Sequence, residues 1–134
     1  MTIDIYKIII AAESGGEVIK KYFGRVLELE QKSIAGDVRT RADTEAEEII
    51  LSTLQKDFPT FNIYSEEAGN IDKKSEYTFV LDPLDGSNNF VLGIPVFCVS
   101  IGLLKGKEII AGVIYHPILK DIYFAEKGEG AYFK

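Results

Sequence analysis

The hydrophobic positions of the first part of the chain recur with a helical period. Within residues 2–23, apolar side chains return every three or four positions, which predicts a helix with one broad apolar face. The residues of this face are Ile5, Ile8, Ile9, Ala12, Ile19 and Phe23. Gly15 and Gly16 interrupt the pattern, and each lowers helix propensity by about 1 kcal/mol relative to alanine. A bend or break is therefore expected at this pair.

A second helix is predicted over residues 41–57. Thr40 and Asp43 have the spacing of a capping box, and Pro59 marks the end of the helical pattern. Between the two helices, residues 25–40 alternate loosely and then become polar, which favours a short strand or hairpin with a mobile tip.

The rest of the chain has the composition and alternation of strands. The β-branched and aromatic segments are residues 61–65, 77–81, 95–104, 108–116 and 121–125. A tight turn at Lys105-Gly106-Lys107 predicts that the third and fourth segments pair as an antiparallel hairpin. Helices followed by strands indicate an α+β fold, with two helices packed on an antiparallel β-sheet.

Composition narrows the class of protein. A chain of 134 residues, 46% of them hydrophobic, is long enough for one domain with its own core, here residues 1–134. The net charge of −6 argues against nucleic acid as a partner. The single cysteine, Cys98, excludes an internal disulfide and is typical of a reducing compartment. No membrane span or signal peptide is recognisable, so a cytoplasmic protein is expected.

The chemistry is concentrated in the segment from Asp82 to Phe90. It follows a predicted buried strand, so two carboxylates, Asp82 and Asp85, emerge at the end of that strand with Pro83 between them. Together with the carbonyl of Leu84 they provide oxygen ligands for a hard cation. Gly86 allows a bound group to approach the backbone, and Ser87 can begin a short helix. An ordinary turn is the alternative, because these residue types also dominate turns.

Two further carboxylate positions, the Glu66-Glu67 pair and Asp43, are candidates for the same site. Glu66 and Glu67 follow the strand at 61–65, and Glu66 faces the aspartate pair if the two strands are neighbours. Taken alone, the glutamate pair is more typical of a solvated strand end, and Asp43 of a helix cap. Three carboxylates in one cleft would repel each other, and all-oxygen ligands favour Mg²⁺ or Mn²⁺ as the cation that relieves this repulsion.

Together these segments resemble the inositol monophosphatase family of Mg²⁺-dependent, lithium-sensitive phosphatases. The three family motifs correspond here to Asp43, the Glu66-Glu67 pair and residues 82–87, in that order. Further similarity lies in Asn89-Phe90 and in residues 99–102, 112–115 and 128–132. The resemblance covers nearly the whole chain and implies the first domain of the family's αβαβα fold.

The resemblance implies a role for each matching residue. Glu66, Asp82 and the Leu84 carbonyl would hold one metal ion, and Asp82 with Asp85 would begin a second site. Asp43 would hydrogen-bond the Ser87 hydroxyl, and this pair would orient and activate the attacking water. The backbone N–H groups of Gly86 and Ser87 would bind phosphate oxygens. Lys32 would lie on a mobile substrate-binding loop near a weaker third metal ion.

The implied reaction is hydrolysis of a phosphomonoester by metal-activated water, with two or three Mg²⁺ ions. Inositol 1-phosphate or a related sugar or polyol phosphate is the first candidate substrate. The alternatives are 3'-phosphoadenosine 5'-phosphate, fructose 1,6-bisphosphate, and a non-catalytic half that binds a metal or a partner protein.

The resemblance also implies a second domain after this point. Family members carry a later Trp-Asp motif that completes the second metal site, whereas this chain has no Trp and no Asp after Asp121. The chain is therefore expected to be truncated, with doubtful activity alone. A homodimer, or association with the missing C-terminal half, is the expected assembly.

Overall fold

The structure is a computed structural model that describes residues 3–29, 34–65 and 68–134. These residues form three helices and one β-sheet. The helices are α1 (Ile5–Glu28), α2 (Ala35–Asp57) and α3 (Ser87–Val91). The strands are β1 (Asn62–Ser65), β2 (Gly69–Ile71), β3 (Tyr77–Asp85), β4 (Cys98–Lys105), β5 (Glu108–His116), β6 (Asp121–Glu126) and β7 (Gly130–Phe133). None of the described helices is both long enough and apolar enough to cross a bilayer.

The strands form one sheet in the order β2-β1-β3-β4-β5-β6-β7. The predicted α+β fold is confirmed, and so is the β4–β5 hairpin, in which Lys105 pairs with Glu108. The sheet is mixed rather than purely antiparallel, because β1 and β3 run parallel. The reason is that β2 folds back along the outer side of β1, so β3 enters the sheet on the other side of β1 in the same direction.

The first helix is continuous through Gly15 and Gly16, so it does not break at this pair. Both glycines are buried at contacts with other elements. A Cβ atom on Gly15 would lie 2.5 Å from Cδ1 of Ile50 in α2, and one on Gly16 would lie 2.4 Å from the Tyr115 ring in β5. Close packing of α1 against α2 and the sheet therefore outweighs the low helix propensity of glycine.

The strand or hairpin predicted over residues 25–40 is also wrong where the structure describes it. Helix α1 continues to Glu28 and α2 begins at Ala35, while residues 30–33 lie outside the described residues. The Thr40 hydroxyl donates to the Gly36 carbonyl within α2, so Thr40 is not a helix cap. Val26 and Ala35 are fully buried, and their packing extends both helices beyond the predicted limits.

The helices cover one face of the sheet and enclose two hydrophobic clusters. The larger cluster lies under the middle of the sheet. The smaller one includes the second half of α1, the first half of α2, and α3. There the Phe90 ring lies 5.6 Å from the Phe23 ring and 5.4 Å from the Phe97 ring, centroid to centroid. Burial of a side chain of this kind stabilises the fold by about 1.5–3 kcal/mol, so Phe90 fixes α3 firmly against α1.

Candidate functional site

A β-bulge at the end of β3 places Asp82 and Asp85 on the same side of the sheet. Residues three apart on a regular strand face opposite sides. Here Asp82 pairs with Ser100 and Asp85 pairs with Cys98, so β3 has one residue more than β4 over this interval. Both aspartates are exposed, whereas Pro83 and Leu84 between them are buried. The Asp82 carboxylate also accepts the Leu84 N–H at 3.2 Å, which stabilises the turn.

A cavity of about 420 Å³ lies at this end of β3 and brings most of the predicted site residues together. The predicted residues that line it are Asp43, Asp82, Leu84, Asp85, Gly86 and Ser87. Glu66 and Lys32, which were also predicted to belong to the site, lie outside the described residues. The cavity therefore joins two of the three sequence motifs, one from α2 and one from the β3–α3 turn.

The end of β1 forms an adjoining wall of the cavity. Ser65 pairs with Leu81, so the last residue of β1 lies beside the residue that precedes Asp82. Tyr64 and Ser65 both line the cavity. The sequence predicts that Glu66 faces the aspartate pair if the strands before them are neighbours. Strands β1 and β3 are such neighbours.

Gly86 makes the connection from β3 to α3. Its φ of +94° lies in the region that favours glycine, and a Cβ atom there would lie 2.9 Å from the Val96 carbonyl oxygen. Ser87 begins α3, as the sequence predicts. The side chain of Asn89 donates to the same Val96 carbonyl at 2.8 Å, so the segment after α3 is tied to the turn.

Asp43 contributes a largely buried carboxylate from α2, with 7% of the residue exposed. Its Oδ2 lies 3.3 Å from a guanidinium nitrogen of Arg39, one turn earlier on the helix. Asp43 and Ser87 line the same cavity, and the hydrogen bond between them stays a prediction. Sequence reasoning missed Arg39 as a cavity residue, although its i,i+4 spacing from Asp43 signals such a pair.

The cavity carries excess negative charge near Asp85. The Cys98 thiol lies 3.9 Å from Oδ2 of Asp85. Burial, followed by the charges of Asp85 and Asp82, raises the pKa of the Cys98 thiol to about 11. A cation beside the two aspartates would offset this charge.

The donor set fits a hard cation, but the described residues alone do not complete a site. They contain no group of three or more His, Cys, Asp or Glu side chains placed to hold a metal ion. Asp82, Asp85 and the Leu84 carbonyl offer oxygen donors, which suit Mg²⁺ or Mn²⁺ better than zinc.

Comparison with known proteins agrees with the fold and with the family resemblance. The sequence profile of the inositol monophosphatase family matches residues 4–134. A fructose-1,6-bisphosphatase/inositol-1-monophosphatase of Aquifex aeolicus is 42% identical over 125 residues, which are 92% of this chain and 47% of that protein. An inositol-1-monophosphatase of Mesorhizobium japonicum is 41% identical over 125 residues, 91% of this chain and 47% of that protein.

Solved structures show the same similarity. The extragenic suppressor protein suhB of Bartonella henselae superposes with a TM-score of 0.85 at 38% identity, covering 96% of this chain and 50% of that one. The inositol monophosphatase of Anabaena gives a TM-score of 0.81 at 32% identity, covering 95% and 45%. The chain belongs to the inositol monophosphatase family. It spans about half the length of the curated relatives it matches.

Proposed function

We propose that this chain takes part in the Mg²⁺-dependent hydrolysis of a phosphomonoester, with inositol 1-phosphate or a related sugar or polyol phosphate as the favoured substrate. The observation that carries the proposal is the bulge of β3, which turns Asp82 and Asp85 toward the same cavity as Asp43 and Ser87. The names of the relatives support a phosphatase, and the substrate is inferred from them.

The carboxylates at the strand ends would bind the cation. Asp82, Asp85 and the Leu84 carbonyl would hold it from the β3 side, with Glu66 as a further ligand. Mg²⁺ bound there would acidify a water molecule and offset charge on the phosphate. Mn²⁺ is the alternative ion, because it accepts the same oxygen donors.

The remaining residues would position the reactants. The Asp43 carboxylate, with the Ser87 hydroxyl, would orient the attacking water and take up its proton. The backbone N–H groups of Gly86 and Ser87 would bind phosphate oxygens and stabilise the charge that grows in the transition state. The ion pair with Arg39 holds one oxygen of the Asp43 carboxylate in place.

Phosphate release from inositol 1-phosphate by the purified chain tests this function. We expect Mg²⁺-dependent release that Li⁺ inhibits, and Asp82→Asn is expected to abolish both Mg²⁺ binding and turnover. Asp72→Asn is the matched control, because Asp72 pairs with Lys74 and does not line the cavity. Retention of Mg²⁺ binding or of turnover by the Asp82 variant would contradict the proposal.

Fructose 1,6-bisphosphate is a second candidate substrate, favoured by the name of the Aquifex aeolicus relative. A panel that also contains 3'-phosphoadenosine 5'-phosphate ranks the three substrates by kcat/KM. Mg²⁺ binding with no turnover on any of them would instead support a non-catalytic half that needs a partner chain.

A further inference from the structure

Glu47 is a buried carboxylate that sequence reasoning did not single out. It lies on α2, with 5% of the residue exposed. Its Oε1 accepts a hydrogen bond from the Ser65 hydroxyl and another, at 3.2 Å, from the Ala68 N–H. One oxygen atom therefore binds both residues that flank positions 66 and 67.

The environment of Glu47 is unusual for a buried acid. A buried carboxylate is costly unless other groups compensate its charge. Within the described part of the chain no ion pair reaches Glu47, and its Oε1 is instead satisfied by two neutral donors. An apolar side chain at this core-facing position would avoid the desolvation cost, so packing alone does not explain a glutamate here.

Glu47 also lies where it can act on the cavity. It is one helical turn beyond Asp43, so the two carboxylates point from the same side of α2 toward the sheet. Ser65, which it binds, lines the cavity and pairs with Leu81, the residue before Asp82. The contact therefore links α2 to the wall that adjoins the aspartate pair.

We infer that Glu47 is a positioning residue of the proposed metal centre, which it serves by fixing Ser65 and Ala68. The inference rests on the proposed function, because the sequence places the proposed ligand Glu66 between these two residues. Glu47 itself does not line the cavity and touches neither metal ion nor substrate in this role.

The affinity of the full 134-residue chain for Mg²⁺, measured by titration calorimetry, tests the inference. Glu47→Ala is expected to weaken binding by about 10–100-fold, the usual effect of losing a residue that orients a metal ligand. Glu47→Gln keeps an acceptor oxygen and should retain most of the affinity. Glu48→Ala is the matched control, because Glu48 is the exposed neighbour on the same helix.

A purely structural role gives a different result. In that case Glu47→Ala lowers the melting temperature of the metal-free chain but leaves the Mg²⁺ affinity of the folded protein at the wild-type value, and this outcome overturns the inference. If Glu47→Ala does not fold, Ser65→Ala decides, because it removes only the hydroxyl donor. Wild-type affinity in Ser65→Ala then overturns the inference, and weakened affinity supports it.

Asp82→Asn, measured alongside, separates the two proposals. If the wild-type chain does not bind Mg²⁺, or if Asp82→Asn binds it as tightly as the wild type, the proposed function fails and the inference fails with it. If Asp82→Asn loses binding while folded Glu47→Ala keeps it, the positioning role alone is wrong.

Discussion

At the scale of single residues, Gly86 leaves no room for a side chain. Alanine there combines a φ of +94° with a Cβ atom 2.9 Å from the Val96 carbonyl oxygen, a backbone atom that cannot turn away. We expect Gly86→Ala to lower the free energy of unfolding by about 1–3 kcal/mol or more, measured by urea denaturation. Gly106→Ala is the control, because Gly106 has a φ of +62° with open space around it. Equal losses in both variants would mean that the contact with Val96 costs nothing.

Tyr115 predicts how stability responds to alkaline pH. Burial, followed by the charges of Glu17 and Glu13, raises the pKa of Tyr115 to about 12 from 10.0. The phenol stays protonated to a higher pH in the folded chain than in the unfolded chain. Its contribution to the free energy of unfolding is therefore complete below pH 10.0 and is lost as the pH rises toward about 12. Urea unfolding followed by circular dichroism should show this decrease, and Tyr115→Phe should make it shallower. If the free energy of unfolding of the variant falls with pH as steeply as that of the wild type, other groups cause the decrease.

At the scale of elements, the glycine pair in α1 determines how closely three elements approach. Gly16→Ala would place a methyl group against the buried Tyr115 ring, and overpacking of this kind costs about 1–3 kcal/mol. Gly24→Ala, in the same helix but with no atom within 4 Å of its Cβ, should instead stabilise by up to about 1 kcal/mol. Thermal unfolding of the two variants should give opposite shifts. A stabilising Gly16→Ala would show that Tyr115 moves aside easily.

The strands with strong alternation were predictable, and the elements that depend on partners were not. Strand β5 begins and ends where its pattern predicts. Strand β2 has only three residues, and every residue of β7 is exposed, so neither shows an alternation of buried and exposed positions. Each pairs with the backbone of a neighbouring strand.

The same distinction holds within the site. Asp82 and Asp85 were identified from their own motif, since their chemistry is visible in the local sequence. Arg39 and Glu47 were missed, because their roles depend on the folded structure. Arg39 lines the cavity, and Glu47 contacts Ser65 and Ala68. A helical glutamate beside Glu48 looks like any solvated surface residue until the fold buries it.

At the scale of the whole molecule, the face of the sheet opposite the helices is apolar and exposed. Small residues pair across four strands there, in the row Gly102, Gly112, Ala125 and Ala131. Exposed large side chains form the next row, Ile114, Tyr123 and Phe133. Exposed apolar surface of this extent favours association with another polypeptide.

We propose that a second copy of the chain covers this face. Light scattering of the purified chain should show a dimer, and Ile114→Lys should shift it toward monomer. Leu119→Lys is the control, because Leu119 is also apolar and exposed but lies in the β5–β6 turn. A wild-type chain that stays monomeric at high concentration would contradict the homodimer and favour a different polypeptide.

The bulge between Asp82 and Asp85 has a consequence for how this site tolerates change over evolution. Exchanging Leu84 for another apolar residue leaves the backbone spacing intact, so its carbonyl and both aspartates keep their directions. Deleting one residue between the aspartates would remove the bulge. Regular pairing with β4 would still place both aspartates on one side of the sheet, but the extra backbone between them, and with it the direction of the Leu84 carbonyl, would be lost. The number of residues in this interval therefore matters more for the carbonyl ligand than the identity of the apolar side chain at position 84.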